Sequence, residues 1–267
     1  MYKITANILG PGELSAGNHN YGLGNQLFQI ATVLSYAKDN NFKAIFPCLR
    51  NTKHYGNYVD NILRNLVVDD DMPSDFISFS NSEPIYKPLP VVNKSVVVHD
   101  SYLQSEKYFV HNRDLILDTL RPSTNDVEYL RKKYSNISGS ISCHVRRGDY
   151  VHLQGKYNTL VNSDYYKKAI DVLGDGEVIV FSDDIDWCKE NFKLDGRNLV
   201  FSQEEDYREL YLMSMCKHNI IANSTFSWWG AWLNANEDRK VIAPSQWFAV
   251  DHNRKDVDLI PQDWIVI

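Results

Sequence analysis

The run HVRRGD places His144, Arg146, Arg147 and Asp149 at the end of an apolar, alternating stretch that spans residues 140–152. Guanidinium groups are planar and permanently charged, and two of them side by side suit the oxygens of a phosphate or a carboxylate. In an extended chain Ile141, Cys143 and Val145 point one way and Ser142, His144 and Arg146 the other. Gly148 is expected to follow with a positive φ and a sharp turn. A competing reading is a surface ion pair between Asp149 and Arg146 or Arg147, which is worth little and leaves two charges at a strand end without a purpose. The tripeptide Arg147-Gly148-Asp149 also matches a cell-adhesion motif, but it is too short to count, and the flanking strand speaks against a displayed loop tip. An anion site is the better reading.

Three further stretches carry chemistry. FSDD, residues 181–184, ends an apolar run with Ser182 and Asp183. A carboxylate there can accept from a guanine N1–H and its exocyclic amine, while helix N-capping by Ser182 or Asp183 explains the same residues without a ligand. ANSTFSWWGAWL, residues 222–233, sets Asn223, Ser224, Thr225, Phe226 and Ser227 at a helix start, where hydroxyls and backbone N–H groups suit a phosphate. Trp228, Trp229 and Trp232 behind them are expected in the core. Gly22, Gly24 and Asn25 open another helix, where glycines bring backbone N–H groups close to an anion or sugar; a tight turn into a packed helix accounts for them equally well. Together these stretches converge on a nucleotide-diphosphate site with arginines on the leaving phosphate.

The elements that must position these groups follow from periodicity. Residues 2–9 read as a strand and residues 10–20 as a loop. Leu27, Phe28, Ile30, Ala31, Leu34 and Ala37 recur at helical spacing up to Asn40-Asn41, before a short strand at 43–46. Residues 50–94 mix tyrosines, asparagines, an acidic run at 69–71 and Pro73, Pro84, Pro88 and Pro90, and read as loops. A strand is expected at Val96, Val97 and Val98, helices at 108–120 and 125–134, and a domain boundary near residue 138, giving domains 1–138 and 139–267. From there strands at 140–145, 177–181, 198–201, 219–222 and 240–243 alternate with helices at 164–173, capped by Ser163, and at 185–192, 204–216 and 226–233. Such alternation predicts a doubly wound α/β fold with a mainly parallel sheet, whose ligands bind at strand C-termini.

A chain of 267 residues can bury the core of one large α/β domain or two smaller ones. A net charge of −6 argues against a general nucleic-acid surface. Cys48, Cys143, Cys188 and Cys216 lie far apart, without metal-ligand spacing, and read as reduced structural thiols. The start MYKITANIL has no basic region, long apolar core or cleavage site, and no apolar run reaches membrane-spanning length, so a cytoplasmic location is expected. The sequons at Asn136 and Asn223 carry no weight there. Arg50, Lys53, Arg64, Arg131, Lys132 and Lys133 read as a solvated face, with peripheral contact to anionic lipid as the weaker reading.

GLGNQLFQ at 22–29, HVRRGDY at 144–150, FSDD at 181–184 and NSTFSWWGAWL at 223–233 occur in this order along nearly the whole chain, and together they resemble the bacterial α-1,2-fucosyltransferases of glycosyltransferase family eleven. The resemblance implies a GT-B arrangement of two Rossmann-like domains facing a cleft, an N-terminal acceptor side and a C-terminal GDP-sugar side. It further implies GDP-β-L-fucose as donor, a galactoside or lipid-linked oligosaccharide as acceptor, inversion to an α-linkage at the 2-hydroxyl, and no metal or other cofactor. By the same resemblance Arg146 holds the β-phosphate, His144 and Asp183 the guanine, and Ser224, Thr225 and Ser227 the diphosphate, while Arg147 braces Asp149 or the loop. Asp149 is the candidate base, with His19 and His152 as alternatives. Two other readings stand beside it. A metal-dependent GT-A transferase would use the DxD patterns at 69–71 and 184–186, and a non-catalytic carbohydrate-binding protein would use the 16 Tyr and 6 Trp.

Overall fold

The computed structural model describes residues 1–6, 22–47, 49, 58–69, 71–81, 83, 85–153, 155–249 and 258–267. The loop expected at 10–20, with His19, and Cys48, Arg50, Lys53 and Asp70 lie outside them. The chain forms two compact α/β units, Met1–Arg121 with Arg254–Pro261, and Pro122–Asn253 with Gln262–Ile267. The division thus falls at Arg121, ahead of the position expected near residue 138.

In the first unit β1 (Lys3–Ala6) leads to α1 (Leu23–Asn40) and β2 (Lys43–Ala44), followed by β3 (Phe76–Ser80), β4 (Ser95–His99) and α2 (Arg113–Leu120). The strands form a parallel sheet in the order β2-β1-β4-β3, with Ile4 opposite Val96 and Ala44. Of the residues that the spacing sets on one face of α1, Leu27, Phe28, Ile30, Ala31 and Ala37 are buried and Leu34 is half-buried, and Val33 is buried as well. Asn41 ends α1 in the left-handed region at φ 55°, and its N–H returns to the Ala37 carbonyl. The helix expected over 108–120 is shorter. Glu106–Tyr108 and Val110–Asn112 are 3-10 turns, and α2 begins only at Arg113. Asn112 stands at the break, and its side-chain amide donates to Ser35 Oγ at 2.9 Å and Asp39 Oδ1 at 2.8 Å of α1.

The second unit runs α3 (Thr124–Lys133), β5 (Ile141–Val145), α4 (Tyr165–Leu173), β6 (Val178–Ser182), α5 (Ile185–Asn191), β7 (Leu199–Phe201), α6 (Asp206–Met215), β8 (His218–Ile220), α7 (Thr225–Trp232), β9 (Val241–Ala243) and β10 (Ile265–Val266). The sheet order is β10-β9-β8-β5-β6-β7, and every pairing is parallel. All C-termini of these strands therefore lie along one edge.

Strand β5 sits mid-sheet and is buried on both faces, as a parallel strand covered by helices must be. Ile141, Cys143 and Val145 join the apolar cluster of Tyr165, Tyr166, Ala169 and Cys188. On the opposite face the buried Ser142 hydroxyl accepts from Asn219 Nδ2 at 2.7 Å. Tyr165 donates its hydroxyl to the Ile221 carbonyl at 2.6 Å, and Tyr166 donates to the carbonyl of His144 at 2.9 Å, so α4 is bolted to the strand ends that carry the site.

Helix α7 is buried all round from Ser227 to Trp232, and Trp228, Trp229 and Trp232 are core residues as expected. Trp228 stacks with Trp232 and tilts against Trp264. A Cβ at Gly230 would meet Met213 side-chain atoms at 2.7 and 2.8 Å, so glycine lets α6 and α7 approach closely.

Candidate active site

Arg146 leaves the end of β5 with both terminal nitrogens engaged. Its Nη2 donates to Asp149 Oδ1 at 2.7 Å, and its Nη1 pairs with Asp183 Oδ2 at 2.8 Å. The carbon of the guanidinium lies 5.0 Å from the centre of the Tyr150 ring, and Nε is buried with no hydrogen-bond partner among the described residues. A buried N–H left unpaired costs on the order of 1–3 kcal/mol, so this donor is set toward something that the described residues do not supply.

Arg147 does not brace Asp149. Its Nε donates to Asp184 Oδ2 at 3.1 Å, its guanidinium lies 3.5 Å from the Trp187 ring centre, and its backbone N–H donates to Asp183 Oδ1 at 2.9 Å. Asp149 belongs to Arg146 instead, because the 3-10 turn Gly148–Val151 brings residue i+3 back beneath that arginine. The expectation for Gly148 also needs correction, since it is not among the glycines with positive φ. Its missing side chain matters for another reason. A Cβ there would sit 2.2 Å from Asp183 Oδ2 and 3.0 Å from its Cγ, so glycine is what admits the Asp183 carboxylate to the arginine strand.

His144 is buried, with Nδ1 2.9 Å from Ser227 Oγ and its ring tilted against Phe226. Burial, with the neighbouring Arg146 charge adding to it, lowers its pKa to about 3. The imidazole is therefore neutral at physiological pH. Ser227 lies 3.3 Å from the Ser224 carbonyl and 3.5 Å from that of Ala222, so its hydroxyl serves His144 and the backbone rather than an open anion cradle. Ser224 is the N-cap of α7 in extended conformation, its side chain making no capping bond, and Thr225 opens the helix. Ser182 Oγ accepts from the Asp184 N–H at 3.0 Å, the capping role first set against a ligand role.

The Asn223 amide nitrogen donates to the carbonyls of Trp247 at 3.0 Å and Asn158 at 3.2 Å, which fixes the side chain and leaves Oδ1 buried without a partner among the described residues. Its own carbonyl accepts from the Tyr150 hydroxyl at 3.0 Å. Asn223 thus presents an acceptor, suited to a hydroxyl or N–H of a ligand and unsuited to a phosphate oxygen.

Gly22, Gly24 and Asn25 belong to the first unit and the other candidate residues to the second. Gly22 is the N-cap of α1 with φ −57°, and Gly24 lies inside the first helical turn, so neither makes a left-handed turn. Asn25 Oδ1 accepts from Gln104 Nε2 at 2.9 Å.

Residues to which the sequence reading gave no role include Trp187 and Tyr150, and Asp184 was read there only as part of a DxD pattern. Tyr150, four positions after Arg146 in HVRRGDY, was the visible signal; Trp187 opposite Arg147 had none. Both DxD runs spend their outer carboxylates on cations, Asp69 on Lys43, Asp71 on Lys3, Asp184 on Arg147 and Asp186 on Lys189. Of the basic residues read as a solvated face, Lys133 pairs with Glu204. Among the described residues no helix is long and apolar enough to cross a membrane.

Two parallel α/β units, with an arginine-bearing strand end in the second, define a GT-B class fold. The fucosyltransferase NodZ from Bradyrhizobium shares it, with a TM-score of 0.53 at 13% identity over 86% of this chain and 91% of that one. NodZ, an α-1,6-fucosyltransferase, has also been crystallised with GDP and soaked with GDP-fucose. The chain belongs to glycosyl transferase family 11, whose profile matches residues 16–267. Similar curated proteins include the O-antigen biosynthesis glycosyltransferase WbnK of Escherichia coli, 39% identical over 181 residues, a match that spans 62% of this chain and 59% of WbnK. An α-1,2-colitosyltransferase of Escherichia coli is 29% identical over 92% of this chain and 96% of its own. The galactoside 2-α-L-fucosyltransferase SEC1 of Bos taurus is 26% identical over 79% of this chain and 62% of its own.

Proposed function

We propose that the protein transfers L-fucose from GDP-β-L-fucose to the 2-hydroxyl of a galactoside, with inversion to an α-linkage and without a metal. Arg146 carries the reading. Its fork is matched to two carboxylates, its Nε–H is buried without a partner among the described residues, and it stands at a strand C-terminus of a parallel sheet. A diphosphate takes the place of those carboxylates on the fork. Asp149 is 56% exposed and Asp183 26%, so both regain water when displaced, and ion pairs this exposed resist exchange weakly.

In the transfer the acceptor oxygen forms a bond to the fucosyl C1 while the C1–O bond to GDP breaks on the opposite face, and the electron pair leaves with the diphosphate. Arg146 offers fixed positive charge where that negative charge grows, a contribution of ~3–4 kcal/mol for a well-placed donor. The acceptor proton goes to Asp149, which the incoming diphosphate releases from Arg146. His144, neutral and fixed by Ser227, and Asp183 bind the guanine, and Asn223 Oδ1 accepts from a donor hydroxyl. Gly22, Gly24 and Asn25 contribute to binding of the donor, and the cytoplasm supplies both substrates.

The test measures GDP release from GDP-fucose with lactose as acceptor, with and without EDTA, for wild type and Arg146→Ala. Turnover that persists in EDTA and is lost in the variant supports the reading. GDP binding without turnover keeps the donor site and refutes the acceptor, and absence of GDP binding refutes the arginine site. An Asp149→Asn enzyme that keeps most of its turnover removes Asp149 as the base. A second reading, with GDP-colitose as donor, is favoured by the near full-length match to the colitosyltransferase. The two sugars differ by one hydroxyl at C3, so kcat/KM for the two donors, measured side by side, decides between them.

A further inference from the structure

A second recess opens on the same edge of the second unit's sheet, beside β9 and β10. It is open to solvent, has a volume of about 540 Å³ and is lined by Tyr157, Asn158, Asn162, Lys168, Ser245 and Gln246 among others. That volume falls within the ~300–1,000 Å³ typical of small-molecule sites. Because every strand pairing here is parallel, the chain following β9 and the loop following β5 lie at one edge, and the recess is a lateral neighbour of Arg146.

Its chemistry is selective. Lys168 is paired with Asp164 at 2.8 Å, so the lysine charge on the wall is met locally. Asn158 donates to Gln246 Oε1 at 3.1 Å and Asn162 to Thr159 Oγ1 at 3.3 Å. Each amide carries two donor hydrogens and an oxygen with two lone pairs, so both kinds of hydrogen-bonding capacity remain side by side. A rim of amides and hydroxyls with a tyrosine at one side matches a neutral, hydroxyl-rich ligand, whose groups both donate and accept.

The recess is also coupled to the arginine site. Tyr157 stacks on Tyr150 at 4.1 Å between centroids, and the Tyr150 ring lies 5.0 Å from the Arg146 guanidinium. The Asn158 carbonyl, on the recess wall, holds the Asn223 amide. Two aromatic rings thus separate the recess from the place where the leaving group is held, a gap that a linked sugar chain spans.

We infer that this recess is a saccharide subsite that takes a sugar unit of the acceptor beyond the galactoside receiving the transfer. The inference rests on the transferase reading for the identity of its ligand, and its test does not depend on turnover. Saturation-transfer NMR on the full chain, without donor, uses a neutral tetrasaccharide ending in a galactoside. The wild type is expected to bind it. Ser245→Trp, which fills the recess from an exposed position, is expected to abolish binding, and Gln246→Ala to weaken it about fivefold, the worth of one hydrogen bond. In the transfer assay Ser245→Trp is expected to raise KM for the tetrasaccharide about tenfold more than KM for lactose. No binding by the wild type overturns the proposal, as does unchanged binding by both variants. An equal rise in KM for both acceptors also overturns it. A protein that binds the tetrasaccharide in this recess but has no affinity for GDP refutes the donor reading and leaves the subsite standing.

Discussion

Gly148→Ala tests whether the arginine site is assembled around the Asp183 carboxylate. The backbone accepts alanine, since φ is not in the left-handed region, but the added Cβ would lie 2.2 Å from Asp183 Oδ2. Asp183 must then give up the Arg147 N–H at 2.9 Å and Arg146 Nη1 at 2.8 Å. A hydrogen bond to a charged group is worth ~1.5–3 kcal/mol, and an ion pair this exposed adds under ~1 kcal/mol. Rehydration of the displaced carboxylate returns part of this, so the expected net loss is about 2 kcal/mol, or ~4–8 °C in melting temperature. All 6 tryptophans lie in the second unit, so their fluorescence reports its unfolding alone. The decisive measurement is the double-mutant cycle with Asp183→Ala. If the clash is the cause, Gly148→Ala costs under ~0.5 kcal/mol once the carboxylate is gone, and the coupling energy is about 2 kcal/mol. An equal cost in both backgrounds refutes the reasoning.

Other outcomes follow from the same geometry. His144 is expected to stay neutral down to about pH 4 in a labelled-histidine NMR titration. Its folded pKa lies below its value of 6.5 in the denatured chain, which therefore binds the proton first as pH falls. Stability from this group is complete above pH 6.5 and declines by about 1.4 kcal/mol per pH unit down toward pH 3, a slope that His144→Gln removes. Glu209 behaves in the opposite sense. Burial raises its pKa from 4.5 to about 7, so its contribution is complete below pH 4.5 and lost as pH rises to 7. Glu209→Gln is expected to stabilise the protein by about 2–3 kcal/mol at pH 8 and to change little at pH 4, as followed by urea unfolding. If the proposed site is right, GDP-binding calorimetry is expected to show Arg146→Lys weakening affinity at least about tenfold and Arg147→Lys about two- to threefold, because in that reading only the Arg146 fork meets the diphosphate.

Where pattern and packing agree, the fold could be read from the chain. The alternation after residue 139 appears as β5 to β9 with α4 to α7 between them, because β5, β8 and β9 are buried along their whole length and β6 up to Ser182. The elements that escaped notice are those in which burial is weak. In β3 only Phe79 is buried, since the strand lies at the sheet edge, and β10 has two residues. The types of the site residues were legible, their pairing was not. Which carboxylate serves Arg146 and which serves Arg147 depends on a 3-10 turn and on residue 183, far off in sequence. Gly148 looked like a turn residue for the same reason, as the atom it makes room for belongs to another strand's end.

The central place of β5 sets an order on biosynthesis. Ile141 pairs with Val178 on one side and with His218 on the other. Until the segment around residue 220 has been synthesised, the strand carrying the arginines has one edge of unpaired backbone N–H and C=O groups. Parallel pairings across such sequence separations form slowly, and an open edge recruits other chains in the meantime. A nascent chain stalled between β7 and β8 is therefore at its most aggregation-prone, and the ligand site comes into being only when nearly all of the second unit has left the ribosome.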